Sequence, residues 1–101
     1  MAIDTFAPTL ANTTAVSVSN TTANGALNLP TNGRSLTVRV HNATTGIVFI
    51  QLGGSTVTAT TSHMPIPAGG VEVFALGTAT YIAGIMSSGS GTLYATPGIG
   101  A

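Results

Sequence analysis

The stretch from Ser35 to Asn42 reads Ser-Leu-Thr-Val-Arg-Val-His-Asn, so Leu36, Val38 and Val40 fall on one side of an extended backbone and Thr37, Arg39 and His41 on the other. Side chains alternate across a strand with a period of two. Nowhere in the 101 residues does an apolar pattern with the 3.6-residue period of a helix persist. The same alternation recurs at Val16 and Val18 against Ser17 and Ser19, and at Leu27 and Leu29 against Asn28, where Pro30 ends the run. An all-β fold follows.

Turn chemistry divides these runs. Asn32-Gly33 is the dipeptide best suited to the positive φ angles of a tight hairpin, and it predicts one leading into residues 36–42. The next run, Gly46 to Gly53, is apolar on both faces: Ile47 and Phe49 on one, Val48, Ile50 and Leu52 on the other. Such a strand needs cover on both sides. Residues 53–70, rich in Thr, Gly and Pro, leave room for at most one short strand, at Val57 to Thr60. Val71, Val73 and Ala75 then alternate with Glu72, Phe74 and Leu76, and two further runs flank the flexible residues 87–91. About eight short strands at roughly ten-residue spacing predict one two-sheet β-sandwich over residues 14–101, of jelly-roll or immunoglobulin-like type. Residues 1–13 hold Ile3, Phe6 and Leu10 but are broken by Pro8, and read as an extended N-terminal arm, either one whose apolar side chains anchor on a neighbour or a frayed terminus.

Charge narrows the function. Arg34, Arg39, Asp4 and Glu72 are the whole complement, with no Lys, Cys or Trp. The exterior must be coated with uncharged polar groups, and the 18 Thr and 8 Ser supply them. Direct binding of nucleic acid through phosphate neutralisation is excluded, as are a thiolate metal site and a disulfide scaffold. No secretory signal opens the chain, since Asp4 and Pro8 interrupt it, and no apolar run approaches a membrane span. Near-zero net charge favours association, which suits an assembly component.

Candidate chemistry is sparse, and no enzyme, cofactor or metal is expected. His41, His63 and Glu72 are the one conceivable metal set, but their spacing gives no reason to converge. Hydroxyls are plentiful, yet a nucleophilic triad needs a His base held by a carboxylate, and no Gly-X-Ser-X-Gly turn precedes a helix. Arg39 and Glu72 are either cross-strand partners, or Arg39 projects into a binding partner, where Arg is a favoured anchor. Tyr81 and Tyr94, if side by side, would offer a small platform for sugar. Three Asn-X-Thr sequons, at Asn12, Asn20 and Asn42, are what chance produces in a chain this rich in Thr.

The segments Arg39-Val40-His41-Asn42, Val48-Phe49-Ile50-Gln51-Leu52-Gly53, Met64-Pro65 through Gly69-Gly70-Val71-Glu72-Val73-Phe74 and Gly91-Thr92-Leu93-Tyr94 through Thr96-Pro97-Gly98 follow one another in order. In this the chain resembles the small capsid cement, or decoration, proteins of tailed bacteriophages, over residues 36–100. The resemblance implies a jelly-roll-like domain on the outer face of the virion, bound to the phage major capsid protein and bridging neighbouring capsomers, as a homo-oligomer and specifically a dimer. It carries over no catalytic residue and does not reach residues 1–35. The interface residues expected are Ile3, Phe6 and Leu10 of the arm, Arg39, and the Ile47 and Phe49 face. Two other readings stand beside it: a virion component elsewhere, such as a head–tail accessory or fibre part, and a sugar-binding surface module.

With so few charges, folding stability is expected to be nearly independent of salt. Urea denaturation at low and at moderate sodium chloride checks this: the two unfolding free energies should agree within about 0.5 kcal/mol, the scale of a surface pair.

Overall fold

Alternating Val, Ile and Leu positions build every inner surface of the molecule. A computed structural model describes residues 7–8, 13–27 and 36–99. Its strands are β1 (Ala7–Pro8), β2 (Thr14–Val18), β3 (Ala23–Ala26), β4 (Leu36–Asn42), β5 (Val48–Gly53), β6 (Met64–Ile66), β7 (Val71–Ala75), β8 (Tyr81–Met86) and β9 (Gly91–Ile99). Two antiparallel sheets result. The first runs β1-β9-β4-β7, with β2 also on β9 along the edge that carries β1, and the second runs β3-β8-β5-β6. No helix among the described residues is long and apolar enough to cross a membrane.

The pairing is nested. β2 pairs with β9, β3 with β8, β4 with β7 and β5 with β6, while β4–β9 and β5–β8 contacts complete the sheets. Among the described residues only β5 and β6 are both consecutive and paired. The tight hairpin expected at Asn32-Gly33 therefore does not join paired strands: β3 lies in the second sheet and β4 in the first. The turn itself falls outside the described residues. Two other boundaries move. A strand lies at Ala23–Ala26, ahead of the run expected around Leu27 and Leu29, of which Leu27 is buried and residues 28–30 fall outside the described residues; residues 57–60 form no strand, and the one in this stretch is Met64–Ile66.

Val16, Val18, Val38, Val40, Leu93 and Ala95 of the first sheet pack with Val48, Ile50, Ile66, Ile82 and Met86 of the second in one buried cluster, the arrangement of a β-sandwich. At Gly84 the sheets approach each other closely. A Cβ there would lie 2.8 Å from Val18 Cγ1, so only hydrogen fits. Thr37, expected on the outward polar side of β4, is buried as well.

Asn42 continues the inward phase of Val38 and Val40 and is completely buried. A buried amide is tolerated only when its donors and acceptor are matched. Here Nδ2 donates to the carbonyls of Gly46 (2.8 Å), Ile66 (2.8 Å) and Pro67 (3.1 Å), and Oδ1 accepts from Thr44 N (2.9 Å) and Thr44 Oγ1 (2.6 Å). Its backbone N–H donates to Gly70 O and its carbonyl accepts from Gly69 N, both at 2.9 Å. One residue of the first sheet thus holds the entry to β5 and the exit from β6 in the second. Thr44 is fixed in turn against Gly91, where a Cβ would fall 2.5 Å from Thr44 Cγ2. Asn42→Leu, which leaves several buried carbonyls and N–H groups unmatched, should lower the unfolding free energy by roughly 3 kcal/mol. Urea denaturation measures it, and a loss under about 1 kcal/mol would contradict the assigned role.

Candidate interaction surfaces

The outward positions of the first sheet form rows across its strands. Ala15, Tyr94, His41 and Val71 are in register on β2, β9, β4 and β7, followed by Thr96, Arg39 and Val73. The His41 and Tyr94 rings stack with centroids 6.3 Å apart and planes inclined by 22°. Val71 and Val73 are 41% and 42% exposed, large values for side chains of this kind. Arg39, exposed between Thr96 and Val73, is the one charged side chain on this face among the described residues. Tyr and Arg beside aliphatic groups are the types that dominate protein interface energetics.

The outer face of the second sheet is divided. Asn24 Nδ2 donates to Ser55 O and Val57 O, both at 3.2 Å, and Ala59 N donates to Thr22 Oγ1 at 2.8 Å, so the segment after β5 folds back toward β3. Ala83, the register partner of Asn24, is fully buried on this side. His63 closes the segment: its Nδ1 accepts from Thr60 N at 2.9 Å, and its own N–H donates to Thr60 O. The other half stays open. Phe49 and Ile85 pair in register and are half-buried, and Ile47 beside them is 49% exposed. Ile47 and Phe49 thus share the outward side, while Val48 and Ile50 fill the core. The second apolar face expected from the sequence is only partly covered by the chain itself.

The remaining expectations separate cleanly. Arg39 is in register with Val73, and Glu72 with Val40, so the two charges project from opposite faces of the first sheet and are not cross-strand partners. Tyr81 and Tyr94 face outward from different sheets, on opposite sides of the molecule, and form no platform. His41, His63 and Glu72 do not come together, and no group of three potential metal ligands occurs among the described residues. The Asn42 side chain, buried and fully engaged, has no room for a glycan. Ile3, Phe6 and Leu10 lie outside the described residues. Within the expected arm, however, Ala7 and Pro8 pair with Ile99 and Gly98, and Thr13 Oγ1 hydrogen-bonds to Thr96 Oγ1 at 2.8 Å.

The row of Tyr94, His41, Val71 and Val73 was missed by sequence reasoning. In residues 71–76 both phases are apolar apart from Glu72, so alternation does not say which one faces out. Comparison of the chain with protein-family models, with curated proteins and with solved structures returns no match.

The face assignments predict unequal costs for similar substitutions. Ile47→Thr and Val73→Thr should each change the unfolding free energy by less than about 0.7 kcal/mol, whereas Val48→Thr, which buries a hydroxyl, should cost about 2 kcal/mol. Urea midpoints of the three variants against the parent chain read this directly.

Proposed function

We propose that the protein is a non-enzymatic structural component of a phage virion that binds the outer surface of the capsid and ties neighbouring capsomers together, with the major capsid protein as its partner. One observation carries the reading beyond the resemblance of residues 36–100. The sandwich turns two association-prone surfaces in opposite directions, one around Tyr94, His41, Arg39 and Val73 and one around Ile47, Phe49 and Ile85. A bridge needs two contacts made at once, and joining them in one rigid body makes the second effectively intramolecular. Contacts available only on the assembled shell stabilise that shell by mass action.

The strand order supports the jelly-roll form of this reading. Numbered without the two-residue β1, the strands run first-eighth-third-sixth in one sheet and second-seventh-fourth-fifth in the other. That is the pattern of a long antiparallel double strand rolled up on itself, as in jelly rolls. An immunoglobulin-like sandwich would instead pair consecutive strands. The sugar-binding alternative loses its support with the separation of Tyr81 and Tyr94.

Purified particles and add-back decide the matter. The protein should be present at a copy number comparable with the major capsid protein by gel band intensity, and should raise the temperature at which stripped capsids rupture. A few copies per particle would favour a head–tail or fibre role. Because Ala7–Pro8 is paired with β9, the arm is best tested by deleting residues 2–6. That deletion should leave thermal unfolding unchanged and reduce retention on capsids during dilution.

A further inference from the structure

The geometry points to β7 as the edge through which two copies of this chain join, antiparallel and centred on Val73. Backbone direction on β4 shows which groups are free. Ala43 N donates to Thr92 O on the β9 side, and Asn42 N donates to Gly70 O on the β7 side. Hydrogen-bonded pairs alternate along an antiparallel ladder. Glu72 and Phe74, opposite Val40 and Val38, therefore bond to β4, and the N–H and C=O of Val71, Val73 and Ala75 point away from the sheet. Among the described residues no strand covers that side.

The other edges are closed or blunted. β6 has three residues and carries Pro65, and Pro is a common guard against edge pairing. β2 and β3 are seamed to each other: Thr14 Oγ1 donates to Ala26 O at 2.9 Å, and Gly25 approaches Val16 so closely that a Cβ would lie 2.9 Å from Val16 Cγ2. β7 has no Pro, no Lys and no bulge within Val71–Ala75.

The occupant follows from self-complementarity. The outward-pointing residues are spaced evenly about Val73, so a two-fold axis there pairs Val73 with Val73 of the second copy and Val71 with Ala75, with donors meeting acceptors at each pair. On the outer face this joins exposed Val71 and Val73 side chains. On the inner face it sets Glu72 opposite Phe74, so no two charges are directly opposed. The axis also brings together the two β6 edges, where Met64 is 53% exposed, the highest value among large apolar side chains of the described residues. The first sheet then continues across both copies. A five-residue ladder is small against the roughly 800 Å² per partner of a stable interface, so the dimer forms in a concentration-dependent way. The inference stands on this edge alone and does not depend on the capsid reading.

The chain has no Cys, so introduced thiols are unambiguous reporters. Val73→Cys in the full-length protein should be joined into dimers by a short bifunctional maleimide. Val71→Cys should not, because two such residues lie roughly 14 Å apart at about 3.4 Å per residue over four residues. Sedimentation of the parent chain should show a dimer at high concentration, and Val73→Pro, which removes an outward N–H but no β4 bond, should shift it to monomer. Equal cross-linking of both cysteine variants, none of either, or a dimer unaffected by Val73→Pro would overturn the proposal. The two cysteine variants decide the question even if the proline variant fails to fold.

Discussion

A fully buried amide holds the two sheets in register with one another. Asn42 stands where the inward phase of Val38 and Val40 would place another apolar side chain, and its polarity is acceptable only because carbonyls of Gly46, Ile66 and Pro67 and the N–H and hydroxyl of Thr44 converge on it. An aliphatic residue would fill the space but leave those groups unmatched, and an aspartate would lack the Nδ2 donors. The turn from Pro67 to Gly70 is shaped by the same cluster, with Gly69 at φ 73° giving its N–H to the Asn42 carbonyl. The end of β4, the entry to β5 and the exit from β6 thus meet in one structural knot.

The poverty of charge then governs what the surfaces do. In an ordinary domain, lysines and glutamates keep sheet faces and edges from associating. Here Arg39 and Glu72 are the charged side chains of the described residues, and they project from opposite faces of one sheet. Thr and Ser keep the exterior hydrated without giving it a repulsive field. Charge repulsion therefore does little to keep these faces and edges from contact with other molecules.

Nested pairing has a cost in chain entropy, because its partners are far apart in sequence. The Thr13 and Thr96 hydroxyls that meet beside β9 are separated by 83 positions. Among the described residues only the β5–β6 pair joins neighbouring strands, and even there residues 54–63 intervene. Folds dominated by such distant contacts form slowly, and the exposed β7 edge remains available to other chains meanwhile.

The alternation in residues 14–18 and 36–42 was enough to establish strands and to mark Val16, Val18, Val38 and Val40 as core, because a period of two maps directly onto the faces of a pleated sheet; in residues 48–53, apolar on both faces, it left open whether Val48 and Ile50 or Phe49 lay inside. It also exposed Gly46 to Gly53 as apolar on both sides, which the half-open Phe49 and Ile85 surface explains. Pairing was not legible. Alternation is a property of each strand by itself, whereas the choice of neighbour depends on contacts between distant segments, so Asn32-Gly33 suggested a hairpin that the two sheets do not contain. The Arg39–Glu72 pair failed for the same reason: β4 and β7 are neighbours, but their register puts the charges on opposite faces. Only the tertiary structure decided which side of Val71–Ala75 meets water and why Asn42 is an asparagine, since both depend on what the rest of the chain brings alongside.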